Sequence, residues 1–188
     1  MAIVVAQGAS ALTFQALAGR LGVTKQAIIY WFPTKQDIAR ELALPSLRAE
    51  ADATTRAIAH SGTAREAIER FVRALVAHHL SDLPRFRYTY LSSQLDEQAP
   101  QIMSGIMDDV HAVTSAMYAA LATKIAADPG YDAAASPRRS AVAAHMAAIG
   151  LVTMVSLADA VADPLAHGTG ALVDALVHLL TAGARTAD

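Results

Sequence analysis

Apolar side chains recur along this chain at intervals of three and four residues, which is the period of one face of an α-helix. Near the start, Phe14, Leu17 and Leu21 have this spacing. Thr13 stands where a helix N-cap would be, and Gly22 stands where a helix would stop. The pattern predicts a first short amphipathic helix.

Two further helices are predicted directly after it. Thr24 can cap the second helix, which Pro33 ends because the residue before a proline is driven out of the helical region. Thr34 can cap the third helix, with Asp37 at the capping-box position. Pro45 lacks a backbone N–H and is expected to interrupt or kink a helical continuation that runs through Leu47 to Ile58.

The rest of the chain carries longer apolar stripes separated by turn-forming segments. They predict helices near residues 68–79, 85–98, 101–127, 140–162 and 172–180. Alanine, the best helix former, is abundant. The predicted fold class is therefore all-α, with a small head over residues 1–46 and a larger helical body over residues 47–188.

Composition limits the function classes. Of the 188 residues, 54% are hydrophobic, which provides a sizeable core and excludes a disordered chain. There is no cysteine, and so neither a disulfide framework nor a thiolate metal site. The net charge of −2 does not indicate a globally basic nucleic-acid binder, but residues 1–50 hold five basic and three acidic side chains. A slightly basic head on an acidic body fits local contact with a polyanion.

Two segments are apolar enough to raise the question of a membrane. The N-terminal residues lack the basic region of a signal peptide, and their apolar run is too short. Residues 141–158 contain no Asp, Glu, Lys or Arg and match a bilayer in length, but half of them are small or polar. We therefore expect a helix buried on all sides, in a cytoplasmic protein without a membrane span.

Residues 13–35 have the organisation of a helix-turn-helix, in which two short helices are joined by a Gly-containing turn and the second starts with polar residues. In this motif the second helix enters the major groove of DNA. The small core expected to hold the two helices together consists of Leu17, Leu21, Val23, Ile28 and Phe32.

The predicted DNA-contact residues lie in and around the second helix: Thr13, Arg20, Thr24, Lys25, Gln26, Ile29, Tyr30, Trp31, Thr34 and Lys35. Gln26 can read adenine with two hydrogen bonds, and Lys25 can reach the acceptors of guanine. Tyr30 and Lys35 suit phosphate oxygens, as does the N-terminus of the helix after Thr34.

The stretch ALTFQALAGRLGVTKQAIIYWFPTKQDI resembles the DNA-binding signature of the tetracycline-repressor (TetR) family of bacterial transcriptional regulators. The matching residues are Ala11-Leu12-Thr13, Leu17-Ala18, Leu21-Gly22-Val23, Thr24, Tyr30-Trp31, Phe32-Pro33, Thr34 and Lys35. The resemblance implies a homodimeric repressor that reads a palindromic double-stranded DNA operator. It also implies release from that operator by a small, largely apolar inducer bound in the body.

Two features depart from the family pattern. The usual tyrosine of the recognition helix falls at Ile29, and the aromatic residue appears at Tyr30 instead. Which of Ile29, Tyr30 and Trp31 contacts DNA therefore stays open. The family also carries a full helix before Ala11, where this chain has only MAIVVAQG, so the first helix of the head is expected to be truncated.

A ligand pocket is expected in the body. Met107, His111, Thr114 and Tyr118 share one helix face, and polar groups within an apolar stripe are typical of a pocket for a small molecule. The full set of predicted ligand-binding residues is Phe71, Leu75, His79, Tyr88, Leu91, Leu95, Met107, His111, Thr114, Tyr118, His145, Ile149 and Thr153. The alternative is that these side chains only fill the core.

The last two helices are expected to pair with those of a second subunit as a four-helix bundle. The predicted dimer-interface residues are Ala144, Ala148, Leu151, Val155, Leu172, Leu176 and Leu179. The alternative is that both helices belong to the core of a single chain.

Metal chemistry and catalysis are both disfavoured. The chain has seven histidines, but no two have the i, i+4 spacing of a helical zinc site, so we expect neither a metal nor a cofactor. There is no Gly-rich phosphate loop and no Gly-x-Ser-x-Gly elbow, and we expect no enzyme. The alternative is that the chain is a helical small-molecule or partner-binding protein whose head is impaired in DNA binding.

Overall fold

The computed structural model describes residues 3, 11–91, 104–131, 136–163 and 167–182. The regular elements in these residues are all helical, which confirms the all-α prediction. In chain order the helices are α1 Phe14–Leu21, α2 Lys25–Trp31, α3 Lys35–Ile58, α4 Ala64–Leu80, α5 Leu83–Phe86, a π-helical segment Arg87–Leu91, α6 Met107–Ala126, α7 Pro137–Ala160 and α8 Thr169–Thr181.

The chain divides into two compact units. The first unit combines Met1–Arg48 with Asp82–Ala112, and the second combines Ala49–Ser81 with Val113–Asp188. Helix α3 begins in the first unit and ends in the second.

Local capping explains the start of the fold. The Thr13 hydroxyl oxygen accepts a hydrogen bond from the backbone N–H of Ala16 at 3.1 Å. The Thr24 hydroxyl oxygen does the same for Ala27, also at 3.1 Å. Between them, Gly22 has φ 68°, in the left-handed region that glycine adopts without a steric penalty. The predicted helix-turn-helix boundaries are confirmed.

Two glycines of this motif provide a matched pair of substitutions. A Cβ built on Gly19 or on Gly22 meets no atom within 4 Å, but only Gly22 has the positive φ. We expect Gly22→Ala to lower the free energy of unfolding by about 1–2 kcal/mol through backbone strain. Gly19→Ala should raise it by roughly 0.5–1 kcal/mol, because alanine is the better helix former. Urea denaturation followed by circular dichroism measures both, and equal effects of the two changes would contradict the role given to Gly22.

Helix α3 begins at the predicted cap and reaches Ile58, the predicted end of its continuation. Thr34 and Asp37 form a reciprocal capping box, with hydrogen bonds of 2.9 Å from the Thr34 N–H and 3.2 Å from the Asp37 N–H. Of the two effects expected at Pro45, the interruption is wrong, because one continuous helix runs through this residue to Ile58. Pro45 itself is exposed, while its neighbours Leu44 and Leu47 are buried. Tertiary packing of these neighbours offsets the hydrogen bond that proline cannot donate.

The core of the head differs from the predicted one. Ile28 is buried as expected, but Leu21 is 63% exposed and Val23 is 46% exposed. Leu17 and Phe32 are half-buried. Leu17, Leu21 and Phe32 line a cavity of about 390 Å³ in the first unit.

The second unit is built around α4. Helix α4 packs against both α7 and α8, and these two also pack against each other. Phe71 and Leu75 of α4 are fully buried there, as is Leu121 of α6. The expectation that α7 is buried on all sides is wrong. Its side chains at Met146 and Met154 are 67% and 62% exposed, because only the opposite side of α7 faces the core.

Candidate functional site

Helix α2 presents a polar face to the outside. Its buried residue is Ile28. At about 100° of rotation per residue, Gln26 lies about 160° around the helix from Ile28, and Lys25 lies about 60° from it on the same side. Both side chains are exposed. Gln26 therefore points away from the head core, whereas Lys25 lies at the border between the buried and the exposed sides of the helix.

The ten predicted DNA-contact residues between Thr13 and Lys35 are all exposed. Tyr30 and Trp31 are 79% and 74% exposed, and their rings meet edge to face with centroids 5.5 Å apart. Ile29 is 38% exposed. All ten residues are thus accessible to a partner, and the structure brings the rings of Tyr30 and Trp31 into contact.

A salt-bridge network within the first unit fixes the helix that follows α2. The Arg40 guanidinium contacts Asp37 at 3.1 Å and Asp109 at 2.8 Å. Arg40 also donates to the backbone carbonyl of Gly105 at 3.2 Å. Hydrogen bonds from the Thr34 side chain and backbone, together with Arg40, lower the pKa of Asp37. Sequence analysis did not identify this network.

A buried carboxylate in the second unit carries the other candidate site. Glu50 of α3 is 1% exposed, although an ionised group is rarely found inside a protein without partners. Its Oε2 lies 3.0 Å from Nε2 of His79 on α4, and its Oε1 lies 2.9 Å from Nε2 of His145 on α7. The hydroxyl of Tyr118 on α6 lies 3.0 Å from Nδ1 of His145. Four side chains from four helices thus form one cluster, which we call the Glu50 cluster.

Hydrogen-bond chemistry places the protons in this cluster. A carboxylate only accepts, so the imidazoles of His79 and His145 each carry a hydrogen on Nε2 and donate it to Glu50. In the neutral form of His145, Nδ1 then accepts from the hydroxyl of Tyr118. Hydrogen bonds to Tyr118 and to Glu50 therefore orient the imidazole of His145 from both sides.

The environment changes the acidity of two groups in the cluster. Burial raises the pKa of Glu50, but hydrogen bonds and electrostatic attraction from His145 and His79 outweigh it and bring the pKa from 4.5 to about 2. Burial raises the pKa of Tyr118, and the negative charge of Glu50 raises it further. At neutral pH, Glu50 is therefore a buried carboxylate and Tyr118 a neutral hydroxyl.

Three of the predicted ligand-binding residues, His79, Tyr118 and His145, belong to this cluster. Of the others in the second unit, Phe71 and Leu75 are fully buried in α4, while Thr114, Ile149 and Thr153 are half-buried. Tyr88, Leu91 and Met107 are half-buried, His111 is exposed, and these four belong to the first unit. Leu95 lies outside the described residues.

Glu50 was missed by sequence analysis, although a signal was present. The buried positions of α3 continue the helical period from Ala43 and Leu47 through Glu50 to Thr54 and Ile58. Extending the apolar stripe across Pro45 puts a carboxylate on the inner face of the helix. The expected break at Pro45 hid this register.

The predicted dimer-interface residues are divided between two surfaces. Ala144 and Ala148 are buried on the side of α7 that faces its own chain, so neither has surface left for a partner. Leu151, Val155, Leu172 and Leu176 are half-buried, and Leu179 is 73% exposed. The outward side of α7 instead carries a row of exposed residues that we call the apolar row: Met146, Gly150, Met154, Leu157 and Val161.

Metal-binding groups and membrane-spanning helices would both bear on function. No group of three or more His, Asp or Glu side chains among them is arranged to hold a metal ion. Helix α7 is long and apolar enough to span a membrane, but 39% of its apolar window is buried inside the protein. Core helices of soluble proteins have the same length and composition, so this is weak evidence for a membrane span.

Comparison with known proteins agrees with this geometry. Residues 1–42 match the family of bacterial regulatory proteins called the tetR family. A search of the curated proteins finds no similar sequence. Among solved structures, the regulatory protein SCO4313 is 20% identical with a TM-score of 0.74, over 95% of this chain and 89% of that one.

Two further structures have the same fold. A bacterial regulatory protein in the tetR family from Rhodococcus RHA1 is 16% identical with a TM-score of 0.69, over 100% of this chain and 93% of that one. The TetR family transcriptional regulator PfmR from Thermus thermophilus is 17% identical with a TM-score of 0.61, over 98% of this chain and 96% of that one.

An all-α chain with an exposed helix-turn-helix at its start has the architecture of a DNA-binding transcriptional regulator. Residues 1–42 thus resemble the DNA-binding part of TetR family regulators, and the rest of the chain shares the fold of solved structures that include members of that family. Members of this family are generally not enzymes.

Proposed function

We propose that this chain is a cytoplasmic, non-enzymatic transcriptional repressor whose head, residues 1–46, reads a palindromic operator. The observation that carries the proposal is the polar outer face of α2, with Lys25 and Gln26 exposed beside Tyr30. These side chains have the donors that base edges in the major groove accept. Arg20 and Lys35 are exposed cations at the ends of the motif and serve phosphate contacts.

The body, residues 47–188, binds the inducer in this proposal. The support is the Glu50 cluster, in which three predicted ligand-binding residues surround a buried carboxylate. A small molecule that competes for the hydrogen bonds of Tyr118 or His145 would weaken the contacts that Glu50 makes from α3 to the neighbouring helices. Since α3 also carries residues of the first unit, a shift of this helix is a route by which the inducer changes DNA affinity.

The repressor acts as a homodimer in this proposal. The support is the exposure of large apolar side chains on two helices. They belong to the apolar row on α7 and to Leu179 on α8, and exposed apolar surface of this kind is typical of an interaction site. Two copies of each helix can form a four-helix bundle, which would cover these side chains. A dimer also explains how two heads read the two halves of a palindrome.

The proposal is tested by selecting preferred duplexes from a random-sequence library and measuring their affinity by fluorescence anisotropy. The double variant Lys25→Ala with Gln26→Ala should lose roughly 100-fold or more of the preference for the selected duplex over random DNA, since each base contact contributes about 1–3 kcal/mol of discrimination. Salt-sensitive binding to any DNA should remain, because phosphate contacts supply it.

Arg65→Ala is the matched control, since Arg65 is an exposed cation on α4, outside the predicted DNA-contact set. It should leave the preference unchanged. Retained operator preference in the double variant would contradict the contact assignment. Equal affinity of the unmodified protein for all sequences at all salt concentrations would favour the alternative, a small-molecule or partner-binding protein with an impaired head.

A further inference from the structure

Ile29 is an aliphatic side chain among the polar residues of α2. It lies about 100° around the helix from the buried Ile28, between Lys25 and Gln26 on the outer side. Its side chain is 38% exposed, so part of it is covered by the head and part is available to a partner. Ile29 therefore projects from the same face that carries the hydrogen-bonding groups of the helix.

The major groove gives such a side chain one matching group. Base edges there present hydrogen-bond donors and acceptors, together with the C5-methyl group of thymine. An aliphatic side chain has no hydrogen bond to offer, and it leaves the acceptors and donors of other bases unsatisfied. Contact with the thymine methyl group removes apolar surface from water on both sides.

We propose that Ile29 reads the C5-methyl group of a thymine in each half of the operator. This inference rests on the proposed operator-reading function and adds the identity of one base and the chemical group by which it is recognised.

Neighbouring side chains make the reading more specific. Gln26 precedes Ile29 by three residues, and side chains at that spacing lie about 5–6 Å apart on a helix surface. Consecutive base pairs are separated by about 3.4 Å, so this separation corresponds to between one and two base steps. Gln26 forms its two hydrogen bonds with adenine. The selected half-site should therefore contain an adenine and a thymine within two base steps of each other.

The experiment uses the full chain and the duplex selected from the random library. Each thymine is replaced in turn by deoxyuridine, which keeps the base pair and deletes only the C5-methyl group. Each half-site should contain one position at which this replacement matters. Replacement at that position in one half-site should weaken binding about fourfold, because burial of one such group contributes ~0.8 kcal/mol. Replacement in both half-sites should weaken it roughly 15-fold.

The Ile29→Ala variant links the methyl group to the side chain. Its binding to the thymine duplex should be weaker, and uridine at the sensitive position should then have no further effect. Val23→Ala is the matched control, because Val23 is also an exposed aliphatic residue of the head, in the turn before α2. This control should keep the full fourfold response to uridine.

Three results would overturn the inference. Uridine could be harmless at every position in the unmodified protein, or the uridine effect could be as large in Ile29→Ala as in the unmodified protein. Selection of a half-site without thymine would also refute it. If the library yields no preferred duplex at all, the operator-reading function itself is refuted, which is distinct from failure of the thymine assignment.

Discussion

Replacement of Glu50 with alanine should lower the free energy of unfolding by about 3–5 kcal/mol, the largest stability change we expect from one residue in this protein. Removal of one partner from a buried charged network leaves the others without compensation. Here the partners are His79 and His145, which are 3% and 6% exposed and cannot turn to water. Domains of this kind are stable by about 5–15 kcal/mol, so much of the margin would be lost.

The isosteric change Glu50→Gln removes the negative charge of this side chain and keeps its shape. It should also destabilise the chain, since an amide offers one acceptor oxygen to two imidazole donors. Glu41→Gln is the control, because Glu41 lies on the same helix but is exposed. It should change stability by no more than about 0.5 kcal/mol. Urea denaturation at pH 7 measures both variants, and equal effects would show that the Glu50 cluster adds no stability.

The same cluster predicts how stability depends on pH. The pKa of Glu50 falls from 4.5 to about 2 in the folded chain, so the unfolded state binds more protons between these values. The stabilisation by this group is therefore complete above about pH 4.5 and is lost as the pH falls toward 2, by roughly 3 kcal/mol. In Glu50→Gln this part of the acid dependence should disappear, whereas in Glu41→Gln it should persist.

The head shows what can be predicted from sequence and why. Caps at Thr13, Thr24 and Thr34 depend on residues three positions away, and these contacts are present in the structure as predicted. Residue type and spacing are sufficient there because both partners lie in one turn of chain. The exposure of Leu21 was not predicted, since it depends on how completely neighbouring segments cover the head.

The Glu50 cluster shows where sequence reasoning stopped. Glu50 and His145 are separated by 95 positions along the chain, and no local rule relates them. Helix periodicity can place each on an inner face, but it cannot tell which inner faces meet. Likewise the composition of α7 indicated an apolar helix without telling which of its sides would remain exposed.

A pair of acidic substitutions in the apolar row should convert the protein to a monomer. Met154 and Leu157 are 62% and 50% exposed, and they lie three residues apart on one side of α7. Replacement of both with aspartate puts four carboxylates at the centre of a symmetric interface, where charges are depleted and like charges repel. Sedimentation velocity should show monomers at concentrations where we expect the unmodified protein to form the proposed dimer.

Operator affinity of this double variant should fall roughly 100- to 10,000-fold, because each head then binds a half-site without the gain from linkage. Arg139→Asp is the control, since Arg139 is an exposed residue near the start of the same helix and outside the apolar row. It should leave both dimerisation and operator affinity unchanged. A double variant that remains dimeric would show that the subunits associate through another surface. One that is monomeric yet keeps full operator affinity would show that the heads act independently.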